Sequence, residues 1–329
     1  MIEGLLHRLG SALLSDKYLY DWQRPGQAHV RTAPSLSAEA AAYLHHGNPR
    51  LQALQARYEA MSPCVTTPLN WTPEYIHAND LQAFRGDNAY IWQVRRAFLT
   101  PMAYALTMYY VRAHDTLGLL DLLEEDGAYG ACAFTIAGKV VSRDLLDSIL
   151  EIYFLDRHLQ VSRRPNLRVL DIGAGYGRLA HRMVTALPNV TRYCCTDAVA
   201  LSTFLSEYYL KVRHVEDRAV VAPLDTIEST LSTHPVDLAI NIHSWPECTV
   251  AAIDWWVSLL AAHRVRHVMV VPNAGTHGGE RLLTNDRSNM EEVLVRHGYR
   301  LVAKEPKYLD PLVQRYAVSP TYHYLFALA

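Results

Sequence analysis

The chain has 329 residues, half of them hydrophobic and 19% charged, enough apolar material for one large domain or two modest ones and unlike a disordered chain. Its 31 Lys and Arg nearly balance 33 Asp and Glu, a net charge of -2 that argues against the basic face of a dedicated nucleic-acid binder. The 5 cysteines are an odd number with no CxxC pair, which argues against a disulfide framework or a CxxC zinc site and fits a reducing cytoplasm.

The longest uncharged stretch lies between Arg96 and Arg112, 15 residues with Pro101 inside, short of the roughly 20 a spanning helix needs. Glu3, His7 and Arg8 interrupt the first leucines, unlike the apolar core of a secretory signal. The expectation is a soluble cytoplasmic protein that takes a small molecule rather than nucleic acid or membrane, with self-association left open. The 20 tyrosines against 6 phenylalanines suit polar ligand pockets, although half-buried core positions account for most of them.

From Met1 to about Val141 the pattern is mainly helical. Ser37–Leu44 has helical spacing and stops at Gly47-Asn48-Pro49. Leu51–Met61 is a second helix, ended by Ser62-Pro63, and Pro68 and Pro73 make the stretch up to Arg85 extended or looped. Asn88–Tyr110 reads as a long helix with a break at Pro101. This region, 1–141, is expected to cap the substrate side of a domain over 142–329.

The second half alternates strand and helix. Ser142 is a plausible N-cap for a helix with Leu145, Leu146, Ile149, Leu150 and Tyr153 on one face. Strands are expected at 168–172, 191–195, 219–222, 238–242, 267–271, 301–304 and 322–327. Helices are expected from the glycine turn to Leu187, at 198–212, at 250–262 and at 289–297, with Gly298 as a stop. Such alternation gives an α/β fold with a parallel sheet covered on both faces.

The strongest motif is Asp171-Ile172-Gly173-Ala174-Gly175-Tyr176-Gly177, between an expected strand and an expected helix. A dinucleotide fingerprint would need glycine at 178, where the chain has Arg178; the pattern D-x-G-x-G-x-G is instead the nucleotide turn of S-adenosylmethionine-dependent methyltransferases. Asp197 follows the last glycine by 20 residues, at a strand end where an acid can accept hydrogen bonds from ribose hydroxyls. The alternative for Asp197 is a cap on the next helix.

Methyl transfer to an alcohol needs a base. His243, just past the fourth strand in Asn241-Ile242-His243-Ser244-Trp245-Pro246-Glu247, sits at the sheet edge where open α/β folds bind ligands, and an ordinary imidazole suits a general base. Glu247 is close enough to orient the imidazole if the loop turns back. The alternative is a loop histidine bonded to backbone. His267 reads as a wall residue, His45-His46 as a solvated helix end, and His277 as part of a glycine-rich loop that could line a substrate pocket. No metal site can be assembled from spacing, although His243, Glu247, Asp286 and Glu280 are residues that could form one. Their spacing is no metal motif, so no metal site is expected, with Mg²⁺ left open.

On these residues the chain resembles the bacterial sugar O-methyltransferase family, a branch of the class I S-adenosylmethionine-dependent methyltransferases. The motifs are Asn48-Pro49-Arg50-Leu51, Phe84-Arg85-Gly86-Asp87-Asn88 with Tyr90 and Trp92-Gln93, Ser142-Arg143-Asp144-Leu145-Leu146-Asp147-Ser148, the glycine turn, Asn241-Ile242-His243-Ser244 with Glu247, and Lys307-Tyr308. The resemblance implies a Rossmann-like sheet of seven strands, order 3-2-1-4-5-7-6, with the last strand antiparallel. It implies methyl donation to a sugar hydroxyl of a glycosylated natural product or polysaccharide.

Expected cofactor contacts are Asp171, Gly173, Ala174, Gly175, Gly177, Asp197 and Asn241. Expected substrate contacts are Asp87, Asn88, Tyr90, Gln93 and His277, the alternative for the run from Phe84 being a helix capped by Asp87 with Arg85 solvated. Arg143 could reach the cofactor carboxylate, but a surface helix charge is the preferred reading. Trp245 stands where the family pattern suggests phenylalanine. The competing expectations are an O- or N-methyltransferase of a non-sugar natural product and a cofactor-binding protein without catalysis.

Overall fold

The computed structural model describes residues 34–66, 70–72, 76, 80–86, 100–274 and 277–329. Asp87, Asn88, Tyr90 and Gln93, and positions 88–99 of the expected long helix, lie outside them.

Three helical pieces come first: α1 (Ala38–Tyr43), α2 (Pro49–Glu59) and the single turn α3 (Pro63–Thr66). Asn48 starts α2 in the usual way, its side chain accepting from Arg50 N at 2.8 Å with proline at the first helical position. The expected extended stretch before Arg85 is thus corrected at two places, α3 and a 3₁₀ turn over Leu81–Ala83. Next come α4 (Thr100–His114), with Pro101 tolerated in the first turn of its described part, and α5 (Leu119–Leu122).

The mainly helical region also contains a hairpin the sequence pattern did not reveal, β1 (Ala133–Ile136) and β2 (Lys139–Ser142), paired antiparallel. Its turn is Ala137-Gly138, both at positive φ (48° and 80°), the geometry that matches strand twist in a two-residue loop.

Helix α6 (Arg143–Leu159) is capped by Ser142, whose hydroxyl accepts from Leu145 N at 3.2 Å. Burial is not confined to its leucine face: Asp144, Asp147, Ser148 and Glu151 are buried as well. A buried carboxylate is costly unless paired, and each of these acids has a partner on another part of the chain. Asp147 accepts from Lys307 Nζ at 2.5 Å, and Glu151 takes a two-pronged bond from Arg178 at 2.9 Å.

The remaining elements are β3 (Leu167–Ile172), α7 (Arg178–Ala186), β4 (Val190–Thr196), α8 (Ala200–Val212), β5 (Ala219–Val221), α9 (Ile227–Thr233), β6 (Leu238–Ile242), α10 (Val250–Ala262), β7 (His267–Val271), α11 (Met290–Arg296), β8 (Tyr299–Pro306), α12 (Pro311–Tyr316) and β9 (Tyr322–Leu328). The sheet order is β5-β4-β3-β6-β7-β9-β8. Numbered from β3, this is the expected 3-2-1-4-5-7-6. β3 to β7 pair in parallel, and β9 runs antiparallel to both β7 and β8.

Val169, Leu170, Leu238, Ala239, Ile240 and Val268–Val271 form the sheet centre, buried as parallel strands between helical layers must be. α2 closes over α8, with Tyr58 hydroxyl bonded to Thr203 at 2.8 Å and Arg50 clasping Glu207 through Nε and Nη2. β4 lies on one side of β3 and β6 on the other, so the chain reverses direction across the sheet at the β3–β6 boundary. Open α/β sheets bind ligands at this switch point, outside the carboxyl ends of the strands.

Among the described residues, no helix is long and apolar enough to cross a membrane.

Candidate functional site

The glycine turn leaves β3 at the switch point. Its backbone is tied to the next strand, Gly173 N and Ala174 N both donating to Thr196 O at 2.9 and 3.1 Å. All three glycines hold positive φ (71°, 57° and 86°). At Gly173 the requirement is doubled, because a Cβ there would stand 2.0 Å from Ser244 Oγ. The first glycine therefore admits the loop after β6 close beside the turn. Gly177 is similarly pressed by Ser206 and Leu210 of α8.

Asp197, just past β4, clasps the turn. One carboxylate oxygen accepts from Gly175 N at 3.0 Å and the other from Val199 N at 2.8 Å; Asp197 does not cap α8, whose N-cap is Val199 with no side-chain cap bond. Burial pushes Asp197 up to about 7, even though the Val199 and Gly175 amides pull the other way. Asp171 is also pushed up to about 7 by burial, against the pull of the Tyr193 hydroxyl that donates to it at 2.9 Å. Two carboxylates beside the turn thus sit at the edge of ionisation near neutral pH.

Asn241 spends its amide on backbone at both ends. Nδ2 donates to Ile172 O at 2.7 Å and Oδ1 accepts from Trp245 N at 2.9 Å, which stitches the ends of β3 and β6 together. His243 follows at φ +63°, a left-handed conformation unusual for a residue with a Cβ, with its amide bonded to Val271 O at 2.8 Å. Burial, reinforced by Arg143 and then by Arg178 and Lys307 against the opposing Asp147, pushes the imidazole down to about 3, so it is neutral at physiological pH.

The expected partnership of Glu247 with His243 does not form. Glu247 accepts from Trp71 Nε1 at 2.6 Å and from Asn273 Nδ2 at 3.3 Å, because the 3₁₀ turn Trp245–Glu247 points its carboxylate toward the N-terminal region and the loop after β7. Asn273 Nδ2 also lies 3.4 Å from the backbone carbonyl of His243, so it joins the two loops through backbone. His277 lies further along the loop after β7 and makes no hydrogen bond to His243 or Glu247.

A cavity opens under the turn, lined by Arg143, Asp144, Asp147, Asp171, Gly173, Ala174, Gly175, Tyr176, Arg178, Leu179, Ile242 and His243. Four of the seven expected cofactor residues and His243 share its wall; Gly177, Asp197 and Asn241 support it from behind. Two buried polar atoms on this wall, Asp144 Oδ1 and His243 Nδ1, have no partner among the described residues. A cationic amino group or a hydroxyl would satisfy them, and Arg143 can meet a carboxylate. The residues present therefore fit the amino-acid end of a ligand such as S-adenosylmethionine.

Sequence reasoning passed over Asp147, Tyr176 and Arg178 as wall residues. Helical spacing from Asp144 (144, 147, 148, 151) shows one polar face, which by itself reads as solvated.

Among the described residues, no group of three or more His, Cys, Asp or Glu is arranged to hold a metal ion. Glu280 accepts instead from Tyr322 hydroxyl at 2.9 Å, and Asp286 is bonded to Thr284 and to Ser288 N in its own loop.

The sequence matches no protein-family model and no curated relative, so the resemblance to sugar O-methyltransferases stands on the motif residues alone. Solved structures similar to the chain include the [4+2]-cyclase SpnF, with a TM-score of 0.41 at 15% identity over 67% of this chain and 93% of that one. An S-adenosylmethionine-dependent methyltransferase from Clostridium acetobutylicum ATCC 824 gives 0.40 at 12% identity over 55% and 90%. Magnesium protoporphyrin IX methyltransferase of Synechocystis PCC 6803, with bound S-adenosylmethionine, gives 0.39 at 11% identity over 57% and 83%. These are distant likenesses of fold.

Proposed function

We propose that the protein is an S-adenosylmethionine-dependent methyltransferase acting on a hydroxyl group of a small glycosidic acceptor. The observation that carries this reading is the convergence, at the β3–β6 switch point, of the glycine turn, Asp171 and a neutral buried imidazole on one cavity, with Asp197 clasping the turn through Gly175 N. When bound, the cofactor supplies a sulfonium-activated methyl group.

The chain's own residues do the rest. The turn and Asp197 hold the nucleoside, Asp171 and the acids of α6 face the amino-acid end, and Arg143 faces its carboxylate. His243 takes the proton from the acceptor hydroxyl as the methyl is transferred. A phenolic acceptor is the second reading, favoured by the imidazole's low position near 3: a phenol, with a pKa of about 10, gives up its proton to a weak base far more readily than an alkyl hydroxyl.

The test incubates the chain with S-adenosylmethionine and a panel of glycosides, sugar nucleotides and phenols, reading S-adenosylhomocysteine and methylated product by mass spectrometry. Product on a glycoside supports the reading, product on phenols only selects the second, and cofactor binding without any product points to a non-catalytic binder.

Two further outcomes are expected. Asp197→Ala should weaken cofactor affinity about 10–100-fold, the worth of one charge-assisted hydrogen bond, as read by calorimetry. Affinity should also rise with pH across about 7. Asp171 and Asp197 are held up near that value, are largely protonated below it, and attract a cationic ligand only when ionised. Binding at pH 7 should accordingly release protons, seen as an enthalpy that depends on the buffer. A pH-independent affinity between 6 and 8 would contradict this.

A further inference from the structure

We infer that Arg85 and Asp144 are positioning residues of the glycine turn, acting on it through the Tyr176 hydroxyl. The inference rests on the reading above for what the turn holds, and on separate geometry for what holds the turn. Tyr176 stands between Gly175 and Gly177, two positive-φ residues that give the backbone little preference of its own. Its side chain is almost wholly buried and fixed at both ends. The ring packs against Phe84 (centroids 5.2 Å) and edge-on to Tyr209 (5.0 Å), and the hydroxyl donates to Asp144 Oδ2.

That same carboxylate oxygen accepts from Arg85 Nε at 3.0 Å. The guanidinium is completely buried and donates further bonds to Glu125 (2.7 and 2.9 Å), to Asp126 (3.2 Å) and to the Ala128 carbonyl (3.4 Å), and Glu125 also accepts from Arg182 on α7 at 3.1 Å. Burial would raise the Glu125 carboxyl, yet Arg85, Arg182 and the Ser142 hydroxyl hold it down near 2, so the pairs remain ionised.

A fully buried, multiply bonded arginine has one rigid placement. It fixes Asp144, Asp144 fixes the tyrosine, and the tyrosine fixes the middle of the turn. The relay brings three separate sequence motifs to one point: Phe84-Arg85, Arg143-Asp144 and Gly175-Tyr176-Gly177.

The test compares the full chain with Tyr176→Phe, which removes only the hydroxyl, and with Arg85→Lys, which keeps the charge but loses the fork. Hydrogen exchange of the peptide covering 173–177, without ligand, should speed up about tenfold in Tyr176→Phe, with the amides of β6 and β7 unchanged, for a bond worth roughly 1.4 kcal/mol. Affinity for S-adenosylmethionine and S-adenosylhomocysteine should fall by the same factor. Arg85→Lys should shift both readouts in the same direction; if it does not fold, Tyr176→Phe decides alone.

Exchange in the turn within twofold of the parent overturns the relay, and so does a loosening spread equally over the sheet. A parent chain that binds no cofactor refutes the proposed function instead, and the exchange comparison still decides the relay.

Discussion

His243→Asn is expected to lower methyl-transfer turnover about 10²–10⁴-fold while leaving cofactor affinity within a few-fold of the parent. Asparagine is the informative replacement because the residue sits at φ +63°, a conformation that asparagine tolerates and alanine resists. His243→Ala should lose the same catalytic factor and, in addition, some stability. In the parent chain the acid limb of turnover, read at saturating cofactor, should not fall at the ordinary histidine value of about 6.5. Burial beside Arg143 holds the imidazole neutral down to about 3, so its protonation does not limit the rate between pH 5 and 8. Turnover that survives in both variants would assign the proton to another group. An acid limb at 6.5 would show that the imidazole is far better solvated than its surroundings allow.

Lys307→Met should destabilise the fold by about 3 kcal/mol, the low end of the cost of removing one partner of a buried ion pair, because Arg143 Nε still bonds the other oxygen of Asp147 at 3.0 Å. Lys307 Nζ reaches Asp147 at 2.5 Å and also donates to the carbonyls of Val318 and Ser319 at 3.0 and 3.2 Å, so it ties α6 to the turn that leads into β9. Asp147 lies well below the usual carboxylate range: burial alone would raise it, but Lys307 and then Arg143 overcome that. Adding Asp147→Leu to the methionine variant should recover at least half of the loss, since an apolar pair of similar volume replaces the ion pair. Urea unfolding of the single and double variants measures both values. A single variant within 1 kcal/mol of the parent would show that the pair carries little of the fold.

The parts of the molecule that were legible in the sequence are those whose causes are local. The glycine turn, its flanking strand and helix, and the end of β6 all lie within short stretches where backbone freedom, apolar runs and capping residues point the same way. The sheet order followed from the family resemblance once those stretches were recognised. The hairpin β1–β2 escaped notice because each strand has only 4 residues and its turn is Ala-Gly rather than Asn-Gly or Asp-Gly.

The polar stripe of α6 was illegible for another reason. Asp144, Asp147 and Glu151 look like a solvated face until their partners are placed, and those partners lie 59, 160 and 27 residues away, at Arg85, Lys307 and Arg178. Glu247 shows the same limit. Proximity in sequence suggested His243, whereas its carboxylate bonds to Trp71, 176 residues distant. Long-range ion pairs and hydrogen bonds leave no periodic trace, and here they define how the candidate site is held.

The most direct test is a calorimetric titration of the full chain with S-adenosylmethionine, run beside the Gly173→Ala variant. The turn-and-clasp account predicts one site per chain in the parent and no measurable binding in the variant, whose added methyl group would meet Ser244 at 2.0 Å in a backbone already at φ +71°. Equal binding by both proteins, or none by the parent, would contradict it.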